Sequence, residues 1–357
     1  MFLPVLLVRD FGMWGWIVFA APNVIGAAAI GWVLRDAAAS ERFVRRHAAA
    51  CRAFSLVTIA YHAFFAMWMI ERLRAKGLPG WGFITLGVFA IAALAMRGNA
   101  MRIIGAIGAM IASGVMWWML YQQQSVLKVP PLFPRGDEGA LWKGACLFPV
   151  FVLGFGLCPY LDLTFHRARQ NTSPAGGRVA FGVGFGVVFF AMAVFTLLYA
   201  RWLAPAVAGH PLGQLTTLFV TLHFVCQSAL TVAAHVRELP RREGEMEDSR
   251  GWVTALGLLL IFAAVIVGGY ASTPHAFRGR DLGEVVYWCL LGFYGIVFPV
   301  YLLTRGFVGG FLPAAVCIAG AVATYWMGFV EGKPLWLLPG VLLVLASRII
   351  AKRGPPG

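Results

Sequence analysis

The sequence predicts an all-α integral membrane protein. The chain has 357 residues, of which 60% are hydrophobic and only 12% are charged, and its mean hydropathy is +0.77. A soluble globule of this length does not have such a composition. Apolar runs that are long enough to cross about 30 Å of hydrocarbon recur along the whole chain. No stretch between them exceeds a loop, so we predict one integral membrane domain over residues 1–357, arranged as an inverted-repeat transporter-like bundle.

Eleven apolar runs are candidate membrane spans. Tryptophans fall near several of their ends, as interfacial anchors of membrane helices commonly do. The predicted spans are Phe11–Leu34, Cys51–Ile70, Trp81–Met96, Ile103–Tyr121, Trp142–Tyr160, Val179–Leu203, Leu212–Val236, Val253–Tyr270, Val285–Leu303, Phe307–Val330 and Leu335–Ile350.

The basic residues predict how these spans are oriented. Arginine and lysine accumulate in the loops that stay in the cytoplasm. One set of alternate loops holds 18 of the 29 basic residues, and the other set holds 11. We therefore expect a multi-pass protein of the inner cell membrane with its N-terminus outside and its C-terminus in the cytoplasm. The net charge of +14 is spread over short loops without a continuous stripe, which argues against a nucleic-acid partner.

The fifth span contains an interruption. Gly154, Phe155 and Gly156 precede Pro159, and the span ends near Asp162. Proline removes a backbone donor and glycine weakens a helix, so we expect the helix to break here. Broken helices at membrane depth often line a binding site. The alternative is a helix that is kinked only for packing.

Polar groups inside the spans are few. No aspartate, glutamate or lysine lies at the centre of a span, which disfavours a carboxylate relay. His62 and His223 are the histidines nearest to mid-span, and they could ligate a haem axially, although a lone buried histidine is more often a hydrogen-bonded core residue. Metal-hydrolase and serine-nucleophile motifs are absent, and the six cysteines show no ligand spacing. We predict neither an enzyme nor a bound cofactor.

The seventh span is the most polar. Ser228 and Thr231 lie three residues apart and share one helix face, and the amide of Gln227 lies beside Ser228. Neutral oxygens of this kind suit a dehydrated sodium ion. In the alternative reading, these side chains bond to their own backbone and to neighbouring helices, as they routinely do in membranes.

Short motifs add a resemblance to a known superfamily. Leu153-Gly154-Phe155-Gly156 followed by Tyr160 resembles the unwound sixth helix of neurotransmitter:sodium symporters. Residues 162–182 are similar to the turn after helix six in sodium:solute symporters and amino-acid permeases, and Phe2-Leu3-Pro4 with Gly12 is similar to the later part of helix one. These families belong to the amino acid/polyamine/cation superfamily, which has the leucine-transporter fold. The matches are four to fifteen residues long, and on this register the chain begins inside helix one.

The resemblance implies inverted five-helix repeats and alternating access around the broken helix. We therefore expect a secondary active transporter, a cation-coupled symporter of a small polar or zwitterionic solute, with Na⁺ as the expected coupling ion. The substrate residues would be Gly154, Phe155, Gly156, Cys158 and Tyr160. The ion ligands would be Gln227, Ser228 and Thr231, and an inner gate would use Asp162, His166 and Arg167. The alternatives are a non-transporting membrane sensor or assembly subunit, and a membrane-embedded haem protein or enzyme that uses His62 and His223.

Overall fold

The chain is helical throughout the part that the structure describes. The computed structural model describes residues 2–73, 81–96, 98–125, 127, 131, 133, 141–207, 210, 212–239, 247–273, 275–307 and 310–351. Within these ranges the only strands are β1 (Ala276–Phe277) and β2 (Arg280–Asp281), which pair as a short antiparallel hairpin. The all-α prediction is confirmed.

Fifteen α-helices are described. The first eight are α1 (Leu3–Val33), α2 (Ala37–Arg46), α3 (Ala48–Leu73), α4 (Trp81–Ala95), α5 (Asn99–Gln122), α6 (Leu141–Leu157), α7 (Leu163–Gln170) and α8 (Pro174–Val183). The others are α9 (Phe190–Val207), α10 (Gln214–Glu238), α11 (Glu247–Ser272), α12 (Leu282–Gly292), α13 (Phe298–Leu303), α14 (Phe311–Tyr325) and α15 (Leu337–Ala351).

The helices are those of a multi-pass membrane protein. Among the described residues, nine helical stretches are long and apolar enough to cross a bilayer. Two further apolar helices, Leu86–Ala95 and Pro334–Ile349, are shorter. They correspond to the third and eleventh predicted spans, so a count of eleven remains a prediction. One predicted boundary is wrong: α1 begins at Leu3 rather than at Phe11.

Helix α11 shows the two faces expected of a helix between protein and lipid. Its glycines pack on α3: a Cβ at Gly257 would lie 2.8 Å from Leu56 Cβ, and one at Gly268 would lie 2.8 Å from Phe64 O. Small residues allow such close approach between membrane helices. The opposite face exposes large apolar side chains, namely Leu258, Leu259, Phe262, Ile266 and Tyr270. Lipid chains are the environment that suits this face.

The helices form two compact units, each assembled from three stretches of chain. Unit 1 comprises Met1–Gly12, Arg52–Leu132 and Val194–His275. Unit 2 comprises Met13–Cys51, Phe133–Ala193 and Ala276–Gly357. The prediction of a single membrane domain did not include this division.

Each unit has its own core. In unit 1 the ring of Phe2 packs against Phe65 and Trp68 of α3 and against Phe224 of α10. In unit 2 a smaller cluster joins α1 to α8 through Ile30, Leu34 and Phe181. The apolar faces of these helices therefore bury one another within each unit.

Gly12 breaks α1 between the two units. Its backbone angles are φ 56° and ψ −142°, whereas the residues on both sides are helical. Residues other than glycine rarely adopt this conformation, because a Cβ would clash with the backbone. Gly12 therefore permits the interruption of helical geometry within α1.

Candidate functional site

The predicted break in the fifth span is present, but its position differs from the expectation. Helix α6 continues through Gly154, Phe155 and Gly156 to Leu157, so the prediction that the glycines interrupt the helix is wrong. The change occurs at Cys158–Leu161, which forms a 3₁₀ turn. Pro159 lies in the first turn of this segment and has no N–H to donate to the carbonyls of the last turn of α6, so the α-helix cannot continue regularly here.

The glycine pair has a packing role that explains its presence. A Cβ on Gly26 of α1 would collide with the carbonyl oxygen of Phe155 and would lie 2.8 Å from the Cα of Gly156. Helices α1 and α6 therefore cross with their backbones in close contact. The ring of Phe155 packs edge-on against Phe19, with ring centroids 5.5 Å apart.

The 3₁₀ turn lies against a second irregular segment of unit 2. Residues Phe293–Val297, between α12 and α13, form a π-helical turn in the middle of the span Leu282–Leu303. The thiol of Cys158 donates to the carbonyl of Tyr294 at 3.2 Å. A Cβ on Gly154 would lie 3.5 Å from the same oxygen. Two membrane helices therefore depart from α geometry at one place, which is the middle of the span Leu282–Leu303 and the end of the span Leu141–Leu161.

Pro299 explains why the Tyr294 carbonyl is available. In an α-helix this carbonyl would accept from the N–H of Phe298, but that N–H bonds to Phe293 O. In a π-helix the donor would be residue 299, and proline has no N–H. Residue 299 therefore supplies no N–H to Tyr294 O, and an acceptor in a low-dielectric interior needs a donor. The thiol of Cys158 supplies that donor.

Tyr160 and His166 connect the 3₁₀ turn to helices α2 and α7. The ring of Tyr160 packs on the cluster around Ile30. Its carbonyl lies 2.8 Å from Nε2 of His166. The Nδ1 atom of His166 lies 2.8 Å from Oγ of Ser40 on α2. Because a carbonyl only accepts, Nε2 carries the proton and Nδ1 accepts from the Ser40 hydroxyl.

The other predicted gate residues have separate roles. Asp162 is the N-cap of α7, and its carboxylate accepts from the N–H of Thr164 at 2.8 Å and from the Thr164 hydroxyl at 2.7 Å. Arg167 is half-buried, and its Nε has no hydrogen-bond partner among the described residues. The structure thus joins His166, and not Arg167, to the 3₁₀ turn.

A second histidine lies on the other side of Phe43. The Phe43 ring stacks on His166 at 5.3 Å and packs on His47 at 4.6 Å. His47 Nδ1 is 3.0 Å from the hydroxyl of Tyr301. Burial lowers the pKa of His47, and the adjacent charge of Arg46 lowers it further. His47 is therefore held neutral more firmly than a free histidine.

Arg169 is fully buried. Its Nε donates to Leu34 O at 2.6 Å, and its Nη2 donates to Arg35 O. Its Nη1 lies 3.1 Å from Thr172 Oγ1 and 3.3 Å from Ser173 O. One guanidinium therefore caps the C-terminal end of α1 and holds the turn between α7 and α8.

The predicted ion ligands all lie on α10 in unit 1. Ser228 is buried, and Gln227 and Thr231 are half-buried. The hydroxyl of Thr231 donates to the carbonyl of Gln227 at 3.1 Å. Threonines in membrane helices commonly make this bond, so it does not by itself indicate a sodium site. The sodium prediction remains a prediction.

His62 and His223 are also in unit 1, on α3 and α10. Both side chains are buried. His62 Nδ1 is 2.7 Å from Thr58 O, and His223 Nδ1 is 2.8 Å from Ser113 Oγ. The Nε2 atom of each ring is buried and has no hydrogen-bond partner within the described ranges.

Comparison with known proteins adds no family. No protein-family model, curated protein or solved structure matches this chain. The resemblance to the amino acid/polyamine/cation superfamily thus remains a prediction.

The sequence signals for the missed residues were weak or absent. Pro299 is a visible signal in an apolar span, but proline alone does not predict a π turn. Arg169 is one of several arginines in a basic turn, and its burial depends on where the end of α1 lies. Gly12 was noticed as the start of an apolar run, and its backbone angles come only from the fold.

Proposed function

We propose that this protein is a secondary transporter of a small polar or zwitterionic solute. The proposed site is where the 3₁₀ turn Cys158–Leu161 meets the π turn Phe293–Val297. The observation that carries the proposal is the contact between these two irregular segments, through Cys158 Sγ and Tyr294 O, in the middle of the span Leu282–Leu303. Non-α backbone at membrane depth is tolerated where it is buried in protein or lines a cavity, and π turns are frequent at functional sites.

Backbone groups would give this site its chemistry. The Tyr294 carbonyl accepts from a side-chain donor, the Cys158 thiol, and could accept from an ammonium or hydroxyl group of a solute in its place. Half-helix ends in transporters bind solutes and ions in this manner. The thiol of Cys158 would then give way to the solute's own donor.

A gate would involve the bond from Tyr160 to His166. The 3₁₀ turn is held to α2 through Tyr160 O, His166 and Ser40. If the 3₁₀ turn moves to admit solute, either these hydrogen bonds break or His166 and Ser40 move together with the turn. On the orientation that the arginine distribution predicts, this end of the site faces the cytoplasm. Eleven spans, inverted repeats and cation coupling are parts of the same proposal.

Thermal unfolding of the detergent-purified protein against a solute panel tests the proposal. A ligand that binds only the folded state raises stability by RT ln(1 + [L]/Kd), which is about 2.7 kcal/mol at 100-fold saturation. We expect one class of polar solute to raise the melting temperature. Parallel series in sodium and in potassium test sodium coupling.

Pro299→Ala is the variant that addresses the site. It restores an N–H at position 299, the residue that would donate to Tyr294 O in a π turn, so we expect the backbone to compete with the Cys158 thiol for this carbonyl, the unliganded protein to gain stability, and the solute-dependent shift to disappear. Pro313→Ala is the matched control, because Pro313 lies in the first turn of α14, where proline is tolerated. A solute shift that persists in Pro299→Ala would place the site elsewhere. No shift with any solute would refute the transporter proposal.

A further inference from the structure

A polar seam runs between α3 and α10 inside unit 1. Helix α3 contributes buried Ser55, Thr58 and His62, and α10 contributes buried His223, Ser228 and His235. The spacings of three and four residues keep the α3 set near one helix face, and Ser228 and His235, seven residues apart, share a face of α10. His223 lies about 140° around the helix from Ser228 and bonds to Ser113 of α5. Uncompensated polar groups at this depth are costly, and those that occur in membrane proteins usually serve function.

Two contacts fix how the seam is aligned. His235 Nδ1 is 3.2 Å from Ser55 Oγ, and the rings of Phe65 and Phe224 are 5.1 Å apart. The earlier residue of α3 in these contacts meets the later residue of α10, and the later residue of α3 meets the earlier one. The two helices are therefore antiparallel. Interpolation places His62 level with Ser228, and about one turn from the level of His223.

The hydrogen bonds determine the tautomer of both central histidines. Thr58 O can only accept, so His62 Nδ1 carries its proton. The Ser113 hydroxyl donates to Ala109 O at 2.6 Å, which uses its only proton. His223 Nδ1 must therefore donate to Ser113 Oγ. Each ring then presents Nε2 as a bare lone pair.

The structure gives no hydrogen-bond partner for these two lone pairs among the described residues. His62 is 6% exposed and His223 is 3% exposed, and neither Nε2 has a partner among the residues that the structure describes. Buried polar atoms are rarely left without a partner, and each exception calls for a reason. A bare imidazole nitrogen accepts a proton, and histidine is the side chain that exchanges protons near neutral pH.

We propose that His62 and His223 carry the protons that couple transport, an inference that rests on the proposed transport function. Nε2 takes up one proton from water when the seam is wet, which gives an imidazolium, and returns that proton from the same atom. Nδ1–H keeps its bond to Thr58 O or Ser113 Oγ in both states. The closed, dry seam holds the neutral form.

The groups around the two histidines are consistent with this role. His235 is the third histidine of the seam, and its Nδ1 lies 3.2 Å from Ser55 Oγ. Tyr199 of α9 packs edge-on against the His223 ring at 5.4 Å. The seam residues on α3 and α10 include no carboxylate that would hold a histidine permanently charged.

Histidine-¹⁵N NMR of the detergent-purified protein tests proton binding without any solute. At about pH 8 we expect two rings with a protonated Nδ1 and a bare Nε2, assigned by their loss in His62→Asn and His223→Asn. Asparagine keeps a donor near the Nδ1 position and removes the lone pair. Both Nε2 signals should move to the protonated position as the pH is lowered from about 8 towards about 4, because the buried site favours the neutral ring. Nε2 atoms that stay unprotonated, or a haem Soret band in the purified protein, would overturn the proposal.

Proteoliposomes that contain a pH-sensitive dye test coupling for the solute found by thermal shift. Without sodium, solute uptake should acidify the lumen. His62→Asn and His223→Asn should still bind the solute but should lose at least about tenfold of the acidification rate, which corresponds to 1.4 kcal/mol. His275→Asn, outside the spans, is the control. Sodium-dependent uptake without acidification would refute proton coupling and leave transport standing. If no solute binds, the transport proposal fails and the NMR result alone decides proton binding.

Discussion

Arg169 illustrates how much one buried residue can hold in place. Its guanidinium satisfies carbonyls of the α1 end and of the α7–α8 turn. Each carbonyl that loses its donor in a buried place costs about 1–3 kcal/mol. Sequence alone could not single it out from Arg167, two residues earlier, because the difference lies in the position of the α1 terminus.

Arg169→Met should therefore destabilise the protein by about 3 kcal/mol or more, because at least two buried acceptors lose their donor. Arg167→Met is the matched control on the same helix, and we expect a change below about 1 kcal/mol there. The measurement is the denaturation midpoint of the purified variants in detergent. Equal losses in both variants would contradict the capping role.

His47 should make stability depend on pH. Burial and Arg46 hold its folded-state pKa below the value of 6.5 that an exposed histidine has. As the pH falls through 6.5, the unfolded chain binds a proton first, so the folded state loses stability until the pH reaches the folded-state pKa. This contribution is constant above about pH 7.5.

The measurement is the melting temperature from about pH 7.5 to about pH 5.5. The wild type should lose more stability over this interval than the His47→Gln variant does. The glutamine amide can still bond to the Tyr301 hydroxyl, with which His47 bonds in the wild type. The comparison between the two curves removes the contributions of the other histidines. If the melting temperatures of the two proteins fell in parallel, His47 would have the same pKa in the folded and unfolded states, and the expected effect of burial and Arg46 would be contradicted.

At the scale of elements, apolar runs predicted the long helices well. Hydrocarbon thickness sets the length of a membrane helix, and the backbone must satisfy itself within each one. Departures from α geometry were predicted less well. The 3₁₀ turn could be anticipated from Pro159 but was expected at the glycines. The π turn at Phe293–Val297 depends on Pro299 together with an acceptor contact from another helix, and a single run of sequence does not contain that contact.

The α1–α6 crossing gives a prediction that separates packing from flexibility. A Cβ at Gly26 would collide with the backbone of Phe155, which cannot move aside as a side chain can. At Gly156 the nearest atom to a new Cβ is Val152 Cγ1 at 3.9 Å, an ordinary contact. The two glycines lie at the same crossing but differ in the space they leave.

Gly26→Ala should therefore cost about 1–3 kcal/mol through overpacking. Gly156→Ala should be neutral or stabilising by about 0.5–1 kcal/mol, since alanine favours the helix. Both are measured as shifts of the denaturation midpoint. If Gly156→Ala destabilised as much as Gly26→Ala, α6 would need a glycine there for conformation, as a truly unwound segment would.

At the scale of the whole molecule, the site could be predicted only in part. The sequence identified the polar residues inside the spans, including His62, His223 and Ser228, because such residues are rare in apolar runs. It could not show that α3 and α10 are antiparallel neighbours, so the seam remained a set of unrelated side chains. The division into two units was equally hidden, because each unit collects three separated stretches of chain.

The short helix α4 decides how many times the chain crosses the membrane. Its 15 residues span about 22 Å, less than the roughly 30 Å of the hydrocarbon core. Local thinning of the bilayer can accommodate a short helix at modest cost. Arg97 and Arg102 follow α4 in the sequence, and on the arginine distribution their loop is cytoplasmic.

We therefore expect α4 to cross. A fusion of alkaline phosphatase after Leu73 should be active, which places that end outside, and a fusion of green fluorescent protein after Gly98 should fluoresce, which places that end in the cytoplasm. The reciprocal fusions are the controls, since each reporter works on one side only. If both positions report the same side, α4 lies within one leaflet. Every later helix would then have the opposite direction to the one proposed, and the bond from Tyr160 to His166 would face the outside.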